Sequence, residues 1–541
     1  MTMIPTSPIV GQKPGTSGLR KKTRVFMETP FLQNYVQSIF NGIGGIEGKT
    51  LVLGGDGRYF NTEAIQIIMK MAAANGAKKV IVGQNGLLST PAASHLIRMH
   101  KSDGGLILSA SHNPGGIDAD FGLKYNMPNG GPAVEAVTAK IVQATEAIDY
   151  YKITDASDID LAEIRQTTLG DMKIDVVSPT DDYIEMMAQL FDLDEIKRLL
   201  KSDFRMVFDA MHAVTGPYAK ALLEDHLGAP AGTVINATPS LDFNKGHPDP
   251  NPVWATELMG LMTGDTPPDF GAASDGDGDR NMIVGTNMYI SPSDSLAVLA
   301  AHAEAAPAFR DGLVGVARSM PTSSAVDRVA AAKGLKCFET PTGWKFFGNL
   351  LDAGEVRLCG EESAGTGGDH VREKDGLWAV MLWLNILSKT KSSVPDLMSN
   401  HWKTYGRNYY SRHDYEAIPT ETADGIMGVL RGKLGVLPGQ SFGGLRVISA
   451  DEFAYDDPID HSRSTGQGLR ISLEDDARIV FRLSGTGTEG ATIRVYLERL
   501  ELDHAKLSLD PQIALSAVIE AAEDLSGIKS RTGRQAPNVI T

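Results

Sequence analysis

The chain has 541 residues, enough for roughly three to four domains of ordinary size. Its net charge of −16 argues against a nucleic-acid surface, which needs a basic stripe. Two cysteines in such a length exclude a disulfide framework and fit a reducing compartment such as the cytoplasm. No run of about 18 apolar residues occurs and the N-terminus lacks a signal-peptide pattern, so neither membrane insertion nor export is expected.

The first 25 residues are rich in Pro, Gly, Ser, Thr and Lys. Within them Gly15-Thr16-Ser17-Gly18-Leu19-Arg20-Lys21-Lys22 joins flexible backbone, hydroxyls and cations. It reads as an anion-binding segment or as a solvated arm. A strand over residues 49–54 follows, then a helix over 62–75 with Thr62 as its cap, a strand over 79–83, a helix over 91–99 and a strand over 104–109. That order predicts a mainly parallel sheet covered by helices. The third strand stops at Ser109-Ala110-Ser111-His112-Asn113-Pro114-Gly115-Gly116. Pro114 and the two glycines force a tight loop that holds the Ser111 hydroxyl at a strand end, beside His112 and Asn113.

The pattern recurs twice. Strands are expected over 205–208, 232–236 and 270–274, with a helix over 215–225. The last of these strands ends in Asp275-Gly276-Asp277-Gly278-Asp279-Arg280. Strands over 313–317, 335–338 and 356–359, with helices over 323–333 and 344–351, end in Gly360-Glu361-Glu362-Ser363-Ala364-Gly365. Trp344, Phe346 and Phe347 read as core, as do Cys337 and Cys359 in their apolar runs. Ligands of open α/β sheets collect at the carboxyl ends of strands. Three such units around one cleft would bring all three loops to one ligand. From about residue 406 the pattern changes to strands over 478–482 and 491–498 and an amphipathic helix over 511–525, a smaller α+β domain.

Three aspartates on one tight loop repel unless a cation sits among them, and all-oxygen ligation suits Mg²⁺, Ca²⁺ or Mn²⁺. An EF-hand fails, because Arg280 and Thr286 stand where Gly and Glu belong. An acidic solvated turn is the plainer alternative, weakened by the loop's place between strands over 270–274 and 281–285. Gly485, Gly487 and Gly490 match G-x-G-x-x-G, but a strand follows instead of a helix, so a dinucleotide fold is rejected. What remains is a Gly/Ser/Thr loop between Arg482 and Arg494, either a phosphate cradle or a hairpin with two surface arginines. Glu361 and Ser363 could bond sugar hydroxyls or cap the next segment. Lys124 and Lys374, taken singly, read as solvated charge. Together these loops describe a phosphoryl-transfer site for a phosphorylated polyol.

The sequence also resembles the α-D-phosphohexomutase superfamily. The resemblance runs through KPGTSGLRKK, GQNGLLSTPA, SASHNPGG, SDGDGDRNM, ETPTGWKFFGNL, CGEESAGTGGDHVREKDGLWAV, RLSGTGTEGATIRVYLE and TGRQAPNVIT, nearly the whole chain. It implies a heart-shaped monomer around a central cleft: three similar α/β domains with mixed or parallel sheets (1–180, 181–292, 293–405) and a C-terminal α+β domain (406–541). It implies that Ser111 carries a phosphoryl group and that Asp275, Asp277 and Asp279 bind Mg²⁺ together with that group. Glu361 and Ser363, with Thr342 and Gly343, would hold the sugar. Arg482, Ser484, Gly485, Thr486 and Arg494 would grip the non-reacting phosphate. Arg20, His112, Lys124, Arg280 and Lys374 match basic residues near the reacting groups, and Thr16, Ser17 and Asn113 complete the substrate-binding set. Two positions depart from the family pattern: Ser109 where Thr is commoner, and Ala364 where Phe is usual.

The implied reaction is an isomerisation by phosphotransfer. Phospho-Ser111 would give its phosphoryl to O6 of glucose 1-phosphate. Glucose 1,6-bisphosphate, both intermediate and activator, would turn over, and Ser111 would recover the phosphoryl from O1. Lys374 or Lys124 would accept the hydroxyl proton if local cations lower its pKa. The GEES and PTGWKFF segments favour glucose over mannose or an aminosugar. Small sugar phosphates are the expected partners, with no nucleic acid and no membrane. A non-catalytic scaffold on the same fold would show a damaged nucleophile or metal loop, and both are intact.

Overall fold

The structure, a computed structural model, describes residues 2–15, 17–484 and 490–541. Three α/β units share one strand order. In the first, Thr50–Gly55 lies between two parallel neighbours, Lys79–Leu87 and Gly105–Leu108, and the latter returns as the antiparallel strand Asp120–Asn126. In the second, Met206–Asp209 lies between Val234–Ile235 and Phe270–Ser274, which returns as Asn281–Gly285. In the third, Gly315–Ser319 lies between Lys336–Thr340 and Leu358–Gly360, which returns as Thr366–Gly368. The repeat anticipated from element order is therefore real. The sheets are mixed, not mainly parallel, and each polar motif occupies the same place: the reversal from the last parallel strand into the antiparallel one.

Several local expectations need correction. Thr62 caps nothing: the helix is Asn61–Ala74, entered through Phe60 in a left-handed conformation (φ 74°). The helix expected over 215–225 is Thr215–Ala219 followed by a π-helical stretch, Lys220–His226. The helix expected over 511–525 is broken at Leu515 into Pro511–Ala514 and Ser516–Ser526. Cys359 is buried, but Cys337 is exposed, because Lys336–Thr340 is the edge strand of its sheet.

The second and third units share one apolar core, centred on the helix Gly376–Thr390 with Trp378 and Trp383 fully buried. The first and fourth units each have a core of their own. The fourth is an antiparallel sheet built on Arg407–Ile418, Ala477–Ser484 and Ala491–Glu501, backed by the helices Thr420–Lys433 and Ser516–Ser526. It meets the third unit through an apolar cluster, Met320 and Phe346 against Phe453, Tyr455, Val480 and Tyr496, and through polar groups. Arg478, paired with Glu498 of its own unit (2.7 Å), donates across to the Met320 and Thr322 carbonyls (2.9 and 2.8 Å). No helix of the described residues is long and apolar enough to cross a membrane.

Candidate active site

The three reversal loops and the fourth unit meet at one cleft of about 1130 Å³. Ser17, Arg20, His112, Asn113 and Lys124 reach it from the first unit, Asp279 and Arg280 from the second, Thr342, Gly343, Glu361, Ser363 and Lys374 from the third, and Arg482, Ser484 and Arg494 from the fourth. Ser111, Asp275 and Asp277 are buried just behind this lining. Thr16, Gly485 and Thr486 lie outside the described residues.

Ser111 adopts a left-handed conformation (φ 54°) forced by the loop that ends its strand. Its hydroxyl donates to Asp275 Oδ2 at 3.0 Å, and its backbone N–H donates to Ser109 Oγ at 2.7 Å. A residue the sequence reading missed supports the loop from beneath. Arg58 is fully buried, paired with Asp56 at 2.9 Å, and donates to the carbonyls of Ser111 (2.7 Å), Asp120 (2.9 Å) and Asn113 (3.3 Å). The only available signal was the spacing Asp56-Gly57-Arg58 at a strand end, which marks a turn and not a brace.

The aspartate loop packs directly onto this serine. A Cβ at residue 276 would lie 2.4 Å from the Ser111 carbonyl oxygen, so the approach requires glycine there. Asp275 Oδ1 accepts the backbone N–H groups of Asp279 and Arg280. Asp277 Oδ2 accepts from the Thr90 hydroxyl (2.6 Å) and from Lys124 Nζ (2.5 Å). Asp279 pairs with Lys374 at 3.0 Å. One oxygen each of Asp277 and Asp279 is buried with no hydrogen-bond partner among the described residues. Ligand oxygens of all three aspartates fall within 4.8 Å of one another. A compact, all-carboxylate donor set with orphaned oxygens fits a hard divalent cation.

Burial and the close approach of like charges set the electrostatics of the site. Burial, then Asp279 and Asp277, push the Asp275 carboxyl well above its ordinary range. For Asp277 burial is outweighed by Lys124, which holds it low. Burial would strip the Lys124 ammonium, but Asp277 and Asp279 outweigh it and the net shift is upward. Lys124 and Lys374 are thus buried ion pairs, not surface charge, and the neighbours of Lys124 that decide its proton are carboxylates instead of the cations expected. His112 is held well below its ordinary range by burial and by Arg280 and Arg20, so it is neutral at pH 7. Arg280 pairs with Asp249 at 3.4 Å.

The sugar loop is tied to the aspartate loop through the backbone. Arg280 and Gly365 form an antiparallel bridge, and Asn281 N–H donates to the Ala364 carbonyl at 2.9 Å. Glu361 Oε1 accepts the Gly343 N–H at 3.1 Å, and burial raises its carboxyl above the ordinary range. In the fourth unit Arg482 donates to the Gln467 carbonyl and to the Tyr496 hydroxyl, and Arg494 lies 3.6 Å from Asp414.

Comparison with known proteins agrees with this layout. Residues 11–152, 181–287 and 292–405 match alpha/beta/alpha domains I, II and III of phosphoglucomutase/phosphomannomutase, and 407–538 match the Phosphoglucomutase-1 C-terminal domain. A phosphoglucomutase of Rhizobium radiobacter is 56% identical over 99% of this chain and 99% of its own. A chloroplastic phosphoglucomutase of Arabidopsis thaliana is 51% identical over 99% of this chain and 89% of its own. Among solved structures, the open form of parafusin from Paramecium, an exocytosis-sensitive phosphoprotein and phosphoglucomutase, superposes with a TM-score of 0.92 at 46% identity, over 100% of this chain and 99% of its own.

Proposed function

The chain belongs to the α-D-phosphohexomutase superfamily as a phosphoglucomutase, an isomerase that interconverts glucose 1-phosphate and glucose 6-phosphate; from that premise we propose how its own residues carry out the reaction. Ser111 is the phosphoryl carrier. The observation that bears this reading is its hydroxyl, held 3.0 Å from one member of a buried aspartate triad at the floor of a cleft.

Asp275, Asp277 and Asp279 would hold Mg²⁺, which supplies positive charge to the phosphoryl oxygens when bound. Phosphoserine carries about −1.5 to −2 charges at pH 7. Lys124, Arg280 and Arg20 surround it with cations that oppose this charge, which leaves Lys374 to act as the neutral amine in the proton transfer. Because phosphoryl transfer asks mainly for positioning and charge neutralisation, that surround is the main contribution of the chain.

In the first half-reaction the bond from phosphorus to Ser111 Oγ breaks as a bond to substrate O6 forms. Lys374 accepts the O6 proton in this scheme, since Lys124 is kept charged by its two carboxylates. Glu361 and Ser363, with Thr342 and Gly343, bind the sugar hydroxyls. Arg482, Ser484, Gly485, Thr486 and Arg494 take whichever phosphate is not reacting, so glucose 1,6-bisphosphate can present either end to Ser111 after turning. Ser17, His112 and Asn113 line the reacting end, with Thr16 beside them in sequence. All the required loops come from one chain, so we take the active unit to be the monomer. Two unpaired thiols fit the cytoplasm.

The test is an intact-mass measurement with and without glucose 1,6-bisphosphate. A gain of one phosphate mapped to Ser111, lost in Ser111→Ala together with turnover, supports the reading. Near-normal activity of Ser111→Ala overturns it. Relative turnover of glucose 1-phosphate and mannose 1-phosphate tests the sugar preference.

A further inference from the structure

The mechanism leaves a line of buried charges unused. Glu362 follows Glu361 in the sugar loop, and its Oε2 accepts from Arg412 Nη1 at 3.1 Å. Arg412 Nε lies 3.1 Å from Asp414 Oδ1. Asp414 Oδ2 lies 3.6 Å from Nε of Arg494, one of the phosphate arginines. The side chains of Glu362 and Asp414 are 2% and 3% exposed, and that of Arg412 is 14% exposed.

The backbone explains the alignment. Arg412 and Asp414 are two residues apart on the strand Arg407–Ile418, so both side chains leave the same face. Asp414 is in register with Arg494 on the neighbouring strand. Glu362 belongs to the third unit, where its N–H donates to Thr322 Oγ1 at 2.8 Å. The line of alternating charge therefore crosses from the third unit into the fourth. Arg482, the other phosphate arginine, donates within the fourth unit, to the Gln467 carbonyl and the Tyr496 hydroxyl.

We propose that Arg412 and Asp414 are positioning residues that register the phosphate grip against the sugar loop, with Asp414 aiming Arg494 and Arg412 tying Asp414 to Glu362. A buried charge is costly without its partner, so each member holds the next in place. A guanidinium approached by a carboxylate at Nε turns its terminal nitrogens elsewhere, which here suits a phosphate. The line would thereby fix the distance from the sugar loop to Arg494. This rests on the reading of Arg494 as a phosphate ligand.

The test compares Glu362→Gln, Arg412→Gln, Arg412→Lys, Asp414→Asn and the double variant Glu362→Gln/Arg412→Gln. It measures KM, kcat, the glucose 1,6-bisphosphate concentration that sustains turnover, and the unfolding midpoint. Arg412→Gln is expected to raise KM and the bisphosphate requirement each by about tenfold or more, with a much smaller change in kcat. Arg412→Lys should recover much of the loss. The double variant should be little worse than the worse single one, since the pair acts as a unit. Unchanged KM, additive losses, or a fall in kcat alone that tracks the unfolding midpoint overturns the proposal. Should Arg412→Gln fail to fold, the KM of Glu362→Gln and Asp414→Asn decides the matter by the same criteria. Phosphorylation of the wild-type chain by glucose 1,6-bisphosphate fails only if the functional reading itself fails, which separates the two.

Discussion

Arg58 Nη2 donates to the Ser111 carbonyl at 2.7 Å, so the residue that would carry the phosphoryl group rests on a guanidinium with no exposed surface. The same guanidinium is paired with Asp56, equally buried. Position and stability of the serine loop are therefore a single property of one ion pair.

Arg58→Met leaves the Asp56 carboxylate buried and unpaired, and is expected to cost about 3–5 kcal/mol of stability. The carbonyls of Ser111, Asp120 and Asn113 lose their donor as well, so kcat should fall in the fraction that remains folded. Asp56→Asn combined with Arg58→Met should recover part of the stability and none of the activity. Urea unfolding and turnover, measured on the same samples, check both halves.

How much of this was legible follows from the range of each signal. Ser111, the aspartate triad and Glu361 announce themselves because strand, proline and glycine mark a strand end locally, and the chemistry is in the same short run. Their equivalent places in three sheets also show in the sequence as element order, although of the antiparallel return strands only that over 281–285 does. Lys124 and Lys374 read as surface charge because their partners, Asp277 and Asp279, are far away in the chain, and no local pattern encodes a buried ion pair. Arg58 was silent for the same reason. Cys337 misled because an apolar run looks alike in an edge strand and a central one. Thr62 misled because the turn at Phe60 starts the helix with no side-chain cap.

Gly276→Ala should act through shape alone. The added methyl would meet the Ser111 carbonyl at 2.4 Å, and both partners are backbone held by other bonds. Overpacking of this kind costs about 1–3 kcal/mol. The loops can relieve it only by parting, which withdraws Ser111 from Asp275. Turnover should fall far more than the unfolding midpoint suggests, with phosphorylation of Ser111 by the bisphosphate slowed in parallel.

Lys374→Met removes the proton acceptor of the proposed scheme and the partner of Asp279. General-base contributions run at about 10²–10⁴-fold. A fall of that size in kcat, with KM for glucose 1-phosphate nearly unchanged, is expected from steady-state kinetics. A rise in KM with kcat preserved would assign Lys374 to ground-state binding instead.

The aspartate triad ties metal binding to pH with a definite sign. The Asp275 carboxyl is raised well above its ordinary value of 3.8 by burial and by Asp279 and Asp277, while Asp277 is held low by Lys124. Asp275 and Asp277 titrate together, and the metal-free protein keeps a proton at Asp275 that the unfolded chain would release. Above about pH 4 the unfolded chain ionises first, so this group favours unfolding increasingly as pH rises toward its folded value. A divalent cation reverses the trend, because its ligands must be ionised and binding expels the proton. Chelator-treated protein should therefore lose stability as pH rises from 5 to 7, relative to protein with excess Mg²⁺, and the gain in Tm on adding Mg²⁺ should grow over that interval. Asp275→Asn should flatten the metal-free trend and weaken the Mg²⁺ gain together. Thermal unfolding at fixed ionic strength measures both, and a Mg²⁺ gain that shrinks as pH rises would contradict the assignment of the cation to these carboxylates.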